Sequence, residues 1–169
     1  MSRYPSGAVA YMYKLIIGMI GPGEMDAAIV NGIREAQLAS EVWVAECTAA
    51  ERSPLVDYAK LLPSTDVIIL TAPSSQIPRV CAKLADEATL PPTVIVVSIA
   101  DVPASAIQRA IGAPNPVIGT MLANRIGPLA PGISLIAGAT ATSMEMGIVR
   151  QIFEKLGYHV ERPEERNAC

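Results

Sequence analysis

Short continuous apolar runs and helical apolar stripes take turns along this chain. After an opening lysine, residues 14–20 form an apolar run, which predicts a strand buried on both faces. Residues 25–39 then place Ala28, Ile29, Ile33, Ala36 and Leu38 along a predicted helix. A short strand at 42–45 ends at Glu46. Ser53 before Pro54 is a helix start, a capping hydroxyl followed by a proline in the first turn, and that helix is expected to reach about Leu62. Asp66 opens the buried strand VIILTA, and residues 75–84 read as the next helix. Pro91 and Pro92 break it before 93–99, the most β-prone stretch. Residues 103–111 predict a helix stopped by Gly112. Short strands follow at 116–121 and 133–137, then an amphipathic helix at 143–156 stopped by Gly157.

Strands that alternate with helices imply a mainly parallel sheet with helices on both faces. The first unit adds a sharper signal. Its strand breaks at Gly21-Pro22-Gly23 and passes directly into a helix, the order of a phosphate-binding corner in a Rossmann fold. The first glycine allows the turn, the second lets the backbone approach a pyrophosphate, and the helix start offers N–H groups to the anion. The fold class is therefore α/β: a three-layer, Rossmann-like domain over residues 14–161. Residues 1–13 are expected to be an extension, with Met12 a candidate natural start, and 162–169 a charged tail. Between Glu46 and Asp66 the chain has room for one helix but hardly for another strand. The usual third strand is expected to be lost, leaving the second at the sheet edge with Trp43 covering its exposed side.

Composition narrows the partners. Apolar residues make up 51% and charged residues only 17%, below the roughly 25% usual in soluble domains. That fits a doubly covered sheet, apolar surface shared with a partner, or both. A net charge of −3 and no basic block argue against nucleic acid. Residues 126–144 lack charge, but Gly127, Pro128, Pro131, Gly132 and Gly138 punctuate them too heavily for a bilayer helix. No secretory signal opens the chain. Cys47, Cys81 and Cys169 are widely spaced without a metal pattern, as reduced cytoplasmic thiols would be. Cytoplasmic location, no membrane partner and no metal are the expectations.

Several residues could carry chemistry. Glu46 ends the second strand, where an acid accepts hydrogen bonds from a ribose and disfavours a 2′-phosphate; it also suits a plain surface strand end. Arg52 with Ser53 could instead hold a 2′-phosphate, so NAD and NADP both stay open. Glu24 and Asp26 complement the helix macrodipole, worth roughly 0.3–1 kcal/mol each. Against a bound pyrophosphate they are costly: like charges ~4 Å apart repel by on the order of 4 kcal/mol at an effective dielectric near 20. Thr71-Ala72-Pro73-Ser74-Ser75 follows the fourth-strand position, where hydroxyls could meet a nicotinamide or Ser75 could merely cap a helix. Cys81 reads as core packing and His159, on a short terminal strand, as structural or surface. No catalytic triad, paired catalytic acids or metal cluster can be assembled.

In order, these residues resemble the N-terminal domain of the pyrroline-5-carboxylate reductase family. Its Gly-x-Gly-Asn-Met-Ala turn is matched by Gly21-Pro22-Gly23-Glu24-Met25-Asp26, and its Asp-Val-Val-Phe-Leu-Ala-Val-Lys-Pro strand by DVIILTAPS from Asp66. Val97-Ser98-Ile99-Ala100 and Phe153-Glu154-Lys155-Leu156-Gly157 match later family segments. The departures are Glu24 for Asn, Asp26 for the small residue and Pro73 for Lys. The family's Met-Pro-Asn-Thr-Pro is only faintly echoed in Met121-Leu122-Ala123-Asn124-Arg125. The family also continues into a helical dimer-forming domain past the point where Cys169 ends this chain.

The resemblance implies NADP- or NAD-dependent hydride transfer to a small cyclic imine derived from an amino acid, a step of proline biosynthesis, in a homodimer or with a partner subunit. Gly21, Pro22, Gly23, Glu24 and Met25 would meet the pyrophosphate, Glu46 or Arg52 the adenosine ribose, and Ala72, Pro73 and Ser74 the nicotinamide half. Two rival expectations remain: a degenerate, non-catalytic module for assembly or regulation, and an adenosylmethionine site, which has no pyrophosphate to repel.

Overall fold

Two apolar runs that the chain cannot leave in water set the centre of the sheet. A computed structural model describes residues 15–21, 23–46, 58–86, 90–99, 101–123 and 131–161. Strand β1 (Ile16–Gly21) pairs in parallel with β3 (Val67–Leu70), and nearly every side chain of both is buried. Each such Ile, Leu or Val contributes about 1.5–3 kcal/mol on leaving water. Asp66 pins their register: its carboxylate accepts the Ile16 N–H at 2.9 Å while its own N–H donates to the Ile16 carbonyl at 2.9 Å.

Outward from this pair lie β2 (Glu41–Glu46) on one side and β4 (Ile95–Ser98), β5 (Val117–Ala123), β6 (Gly132–Ala137) and β7 (His159–Val160) on the other. The order is β2-β1-β3-β4-β5-β6-β7, parallel except where β6 runs against β5. Among the described residues β2 is the outer strand, and no further strand pairs with it.

Helices α1 (Gly23–Glu35) and α5 (Ser143–Lys155) cover one face, where Ile29, Ile33, Val149, Ile152 and Phe153 join side chains from β1, β3 and β4. The other face carries α2 (Tyr58–Leu61), a 3-10 turn at Leu62–Ser64, α3 (Ile77–Asp86) and α4 (Ala104–Ile111). This is the three-layer arrangement expected from the alternation. No helix among the described residues is long and apolar enough to cross a membrane.

Boundaries moved for local reasons. Helix α1 ends at Glu35 rather than Ala39 because Gln37 takes a left-handed φ of 53°, the Leu38 N–H donates to the Ile33 carbonyl and the Gln37 N–H to that of Arg34. That is a Schellman stop, with buried Leu38 folding back on the core. Gly157 ends α5 in the same way at φ 90°, as expected. At the start of α5 the Thr142 N–H donates to Glu145 at 2.7 Å, a capping box legible in Thr-x-x-Glu but not used above. Helix α3 begins at Ile77, since residues 73–76 form a turn in which the Gln76 N–H donates to the Pro73 carbonyl. The start expected at Ser53, and the segments 1–13 and 162–169, lie outside the described residues.

Trp43 corrects an expectation. Its ring does not cover the outer edge of β2; it lies inward across β1, over Gly18, and its Nε1–H donates to Thr65 Oγ1 at 2.9 Å. A Cβ on Gly18 would stand 2.1 Å from the indole. Cys81 is core packing, with no exposure. Burial pushes its thiol up from the ordinary 9.0 to about 11. The unfolded chain therefore loses this proton first, so the thiol's contribution is present below about pH 9 and is lost as pH rises to about 11. Urea titrations of the native protein and Cys81→Ala across that range are expected to show the alkaline loss reduced in the variant; parallel curves would contradict it.

Candidate functional site

Parallel strands that reverse direction of travel across a sheet leave a crevice at their carboxyl ends. Here the chain steps from β1 outward to β2, then returns past β1 to β3, so the crevice opens between the ends of β1 and β3. Four strand ends meet there. Gly21 closes β1 directly opposite Glu46 of β2, Ile20 pairs with Leu70 of β3, and Leu70 pairs with Ser98 of β4.

Gly21 is held by a close approach rather than by an unusual backbone. The Thr71 N–H donates to the Ile20 carbonyl at 2.9 Å, and the Thr71 hydroxyl reaches the same oxygen at 3.4 Å. A Cβ at Gly21 would stand 1.8 Å from that hydroxyl oxygen and 2.9 Å from the Thr71 carbonyl carbon. The first glycine is thus required by packing; no left-handed φ is involved. Helix α1 begins at Gly23, and over 13 residues its dipole favours an anion at that end. As backbone, the corner fits a dinucleotide pyrophosphate: no side chain at Gly21 and a long helix starting beside it.

The expected site residues are brought together unequally. Gly21, Gly23, Glu24 and Met25 follow one another through the strand end and first helical turn, with Asp26 in the same turn. Glu46 stands level with Gly21. Ala72 is in the crevice loop, but the residue is 1% exposed and packs in the α3–α4 core. Pro73 and Ser74 are exposed beyond it. Pro22 and Arg52 lie outside the described residues. Thr71 was noted above only as a hydroxyl for a ligand; its tighter bond is with the glycine corner itself.

Residues 16–101 match the family described as NADP oxidoreductase, coenzyme F420-dependent. The chain belongs to that family. The matched stretch runs from β1 past the end of β4, so it contains the crevice and every described element that forms it. Among solved structures, the chain is similar to a pyrroline-5-carboxylate reductase from Coxiella burnetii, with 21% identity, a TM-score of 0.68, and coverage of 89% of this chain and 60% of that one. The Plasmodium falciparum pyrroline carboxylate reductase, solved with NADP bound, gives 15%, 0.68, 92% and 60% in the same order. Prephenate dehydrogenase from Aquifex aeolicus gives 13%, 0.67, 88% and 62%. At these identities the likeness is one of fold, and the chain spans about three-fifths of the length of these relatives. No curated protein matches it in sequence.

Proposed function

We propose that this NADP oxidoreductase-family domain is the dinucleotide-binding part of a reductase that acts on a small imine derived from an amino acid. The observation that supports it most is the strand–glycine–helix corner at the crevice, where β1 ends at Gly21 level with Glu46 and the 13-residue α1 starts at Gly23. Gly21, Pro22, Gly23 and Met25 would hold the pyrophosphate, with Glu24 at the same turn. Glu46 or Arg52 would meet the ribose, and exposed Pro73 and Ser74, carried by buried Ala72, the nicotinamide half. When bound, the cofactor supplies hydride; the chain's residues position it and exclude water. The family points to NADP, the acid at the end of β2 to NAD. A homodimer or partner subunit would complete the substrate pocket, and the setting would be cytoplasmic.

Calorimetric titration with NADPH and with NADH tests this. Saturation by either in the micromolar range is expected, and no saturation by millimolar cofactor would overturn it. A second role, a module without cofactor, is favoured by Glu24 and Asp26 standing in the first turn of α1. Combining Glu24→Asn with Asp26→Ala separates the two. Affinity that appears only in the double variant marks the native chain as the non-binding module.

A further inference from the structure

Gly119 stands in the interior of β5, where glycine costs backbone entropy and offers nothing to pack. The fold explains the two glycines of β1 but not this one. Gly18 and Gly21 are demanded by Trp43 and Thr71, whereas a Cβ at Gly119 would meet its nearest neighbours, Ala104 and Ile136, at 3.7 and 3.8 Å, ordinary contact distances. Its φ is not left-handed, and the β5–β6 register runs through it without a bulge. Of the usual reasons for a mid-strand glycine, the close approach of a ligand is left.

A cavity of about 790 Å³ lies over it, within the range of small-molecule sites. Val117 packs with the α3–α4 core and Ile118 with the opposite one, so alternation puts Gly119 and Met121 on the α4 side. There α4 forms one wall and the face of β6 the other. Met121 is 51% exposed and Ile136 37%, flanking the glycine floor as an apolar trough. Asp101, just beyond β4, and Ser105 in the first turn of α4 also line it.

We propose that this trough binds an organic ammonium ion: a small hydrocarbon ring on Gly119 between Met121 and Ile136, its charged nitrogen toward Asp101. The apolar walls select the ring and the carboxylate selects the cation, so an amine without a carboxylate of its own is the ligand class. Binding stands on the trough alone; that the ligand is the amine formed from an imine rests on the reductase role proposed above.

Three probes with one ring and different charge test it: cyclohexylamine, cyclohexanol and cyclohexanecarboxylate, titrated into the full chain carrying carbon-13 methyl-labelled methionine. The Met121 methyl is expected to shift saturably with cyclohexylamine at on the order of 1 mM, while buried Met19 on the opposite face stays still. Asp101→Asn should weaken binding about threefold to fivefold, as for an exposed charge pair. Gly119→Leu should fill the trough and abolish the shift, and Gly119→Ala, whose methyl fits at ordinary distances, should weaken it without lowering the melting temperature. No saturable shift, a shift persisting in folded Gly119→Leu, or equally tight cyclohexanecarboxylate would overturn the proposal. NADPH binding without amine binding would remove the trough and leave the reductase role, and amine binding without either nicotinamide cofactor would do the reverse.

Discussion

Gly21→Ala is expected to abolish NAD(P)H binding, weakening it at least about a hundredfold, and to destabilise the fold by about 1–3 kcal/mol or more. The added methyl would fall 1.8 Å from the Thr71 hydroxyl oxygen and 2.9 Å from its carbonyl carbon. A rotating hydroxyl can yield, but the backbone carbon cannot move without breaking the Thr71 N–H bond to Ile20 that ties β1 to β3. The glycine corner must then shift relative to the start of α1. Thr71→Ala in the same background removes the oxygen and leaves the backbone contact, so it should restore stability in part and cofactor affinity little. Calorimetry and urea unfolding on the single and double variants measure both. Unaltered cofactor affinity in Gly21→Ala would remove this corner as the binding site.

Trp43→Ala should be the most damaging single change to stability, about 3–5 kcal/mol, as for truncation of a large buried aromatic. The indole is 8% exposed, covers the gap over Gly18 and donates to Thr65 Oγ1. Truncation opens a void over β1 and deprives that hydroxyl of a donor, although the hydroxyl keeps its own 2.7 Å bond to the Leu61 carbonyl. Trp43→Phe keeps ring area over Gly18 and should lose less than half as much. Chemical unfolding of both variants checks the order. Equal losses would mean that the hydrogen bond, not the covering of Gly18, matters most.

Much of the architecture was legible because its causes are local. Apolar periodicity located the seven strands to within a few residues, and a single glycine past the stripe marked the end of α5. Where a helix end was missed, the stop was Gln37, a residue whose type does not announce a left-handed turn. Glu46 could be placed at the end of the second strand from the apolar pattern, whereas its standing level with Gly21 is set by the β1–β2 register. Trp43 was misplaced because its direction depends on the gap that Gly18 leaves in the neighbouring strand. Asn115 is fully buried, with its amide donating to the Pro91 and Val94 carbonyls, because the loops before β4 and β5 meet, a contact that no local pattern announces.

The sequence by itself determined the order of the described strands and helices and the presence of a glycine corner before a helix. Each depends on residues close along the chain: apolar period, turn chemistry and the length between elements. Only the tertiary structure separated three mid-strand or strand-end glycines that look alike in the sequence. Gly18 makes room for Trp43, Gly21 makes room for Thr71, and Gly119 makes room for nothing in the chain. The space beside a missing side chain is filled, or left open, by residues far away in sequence, and their approach is settled only when the sheet and its helices pack.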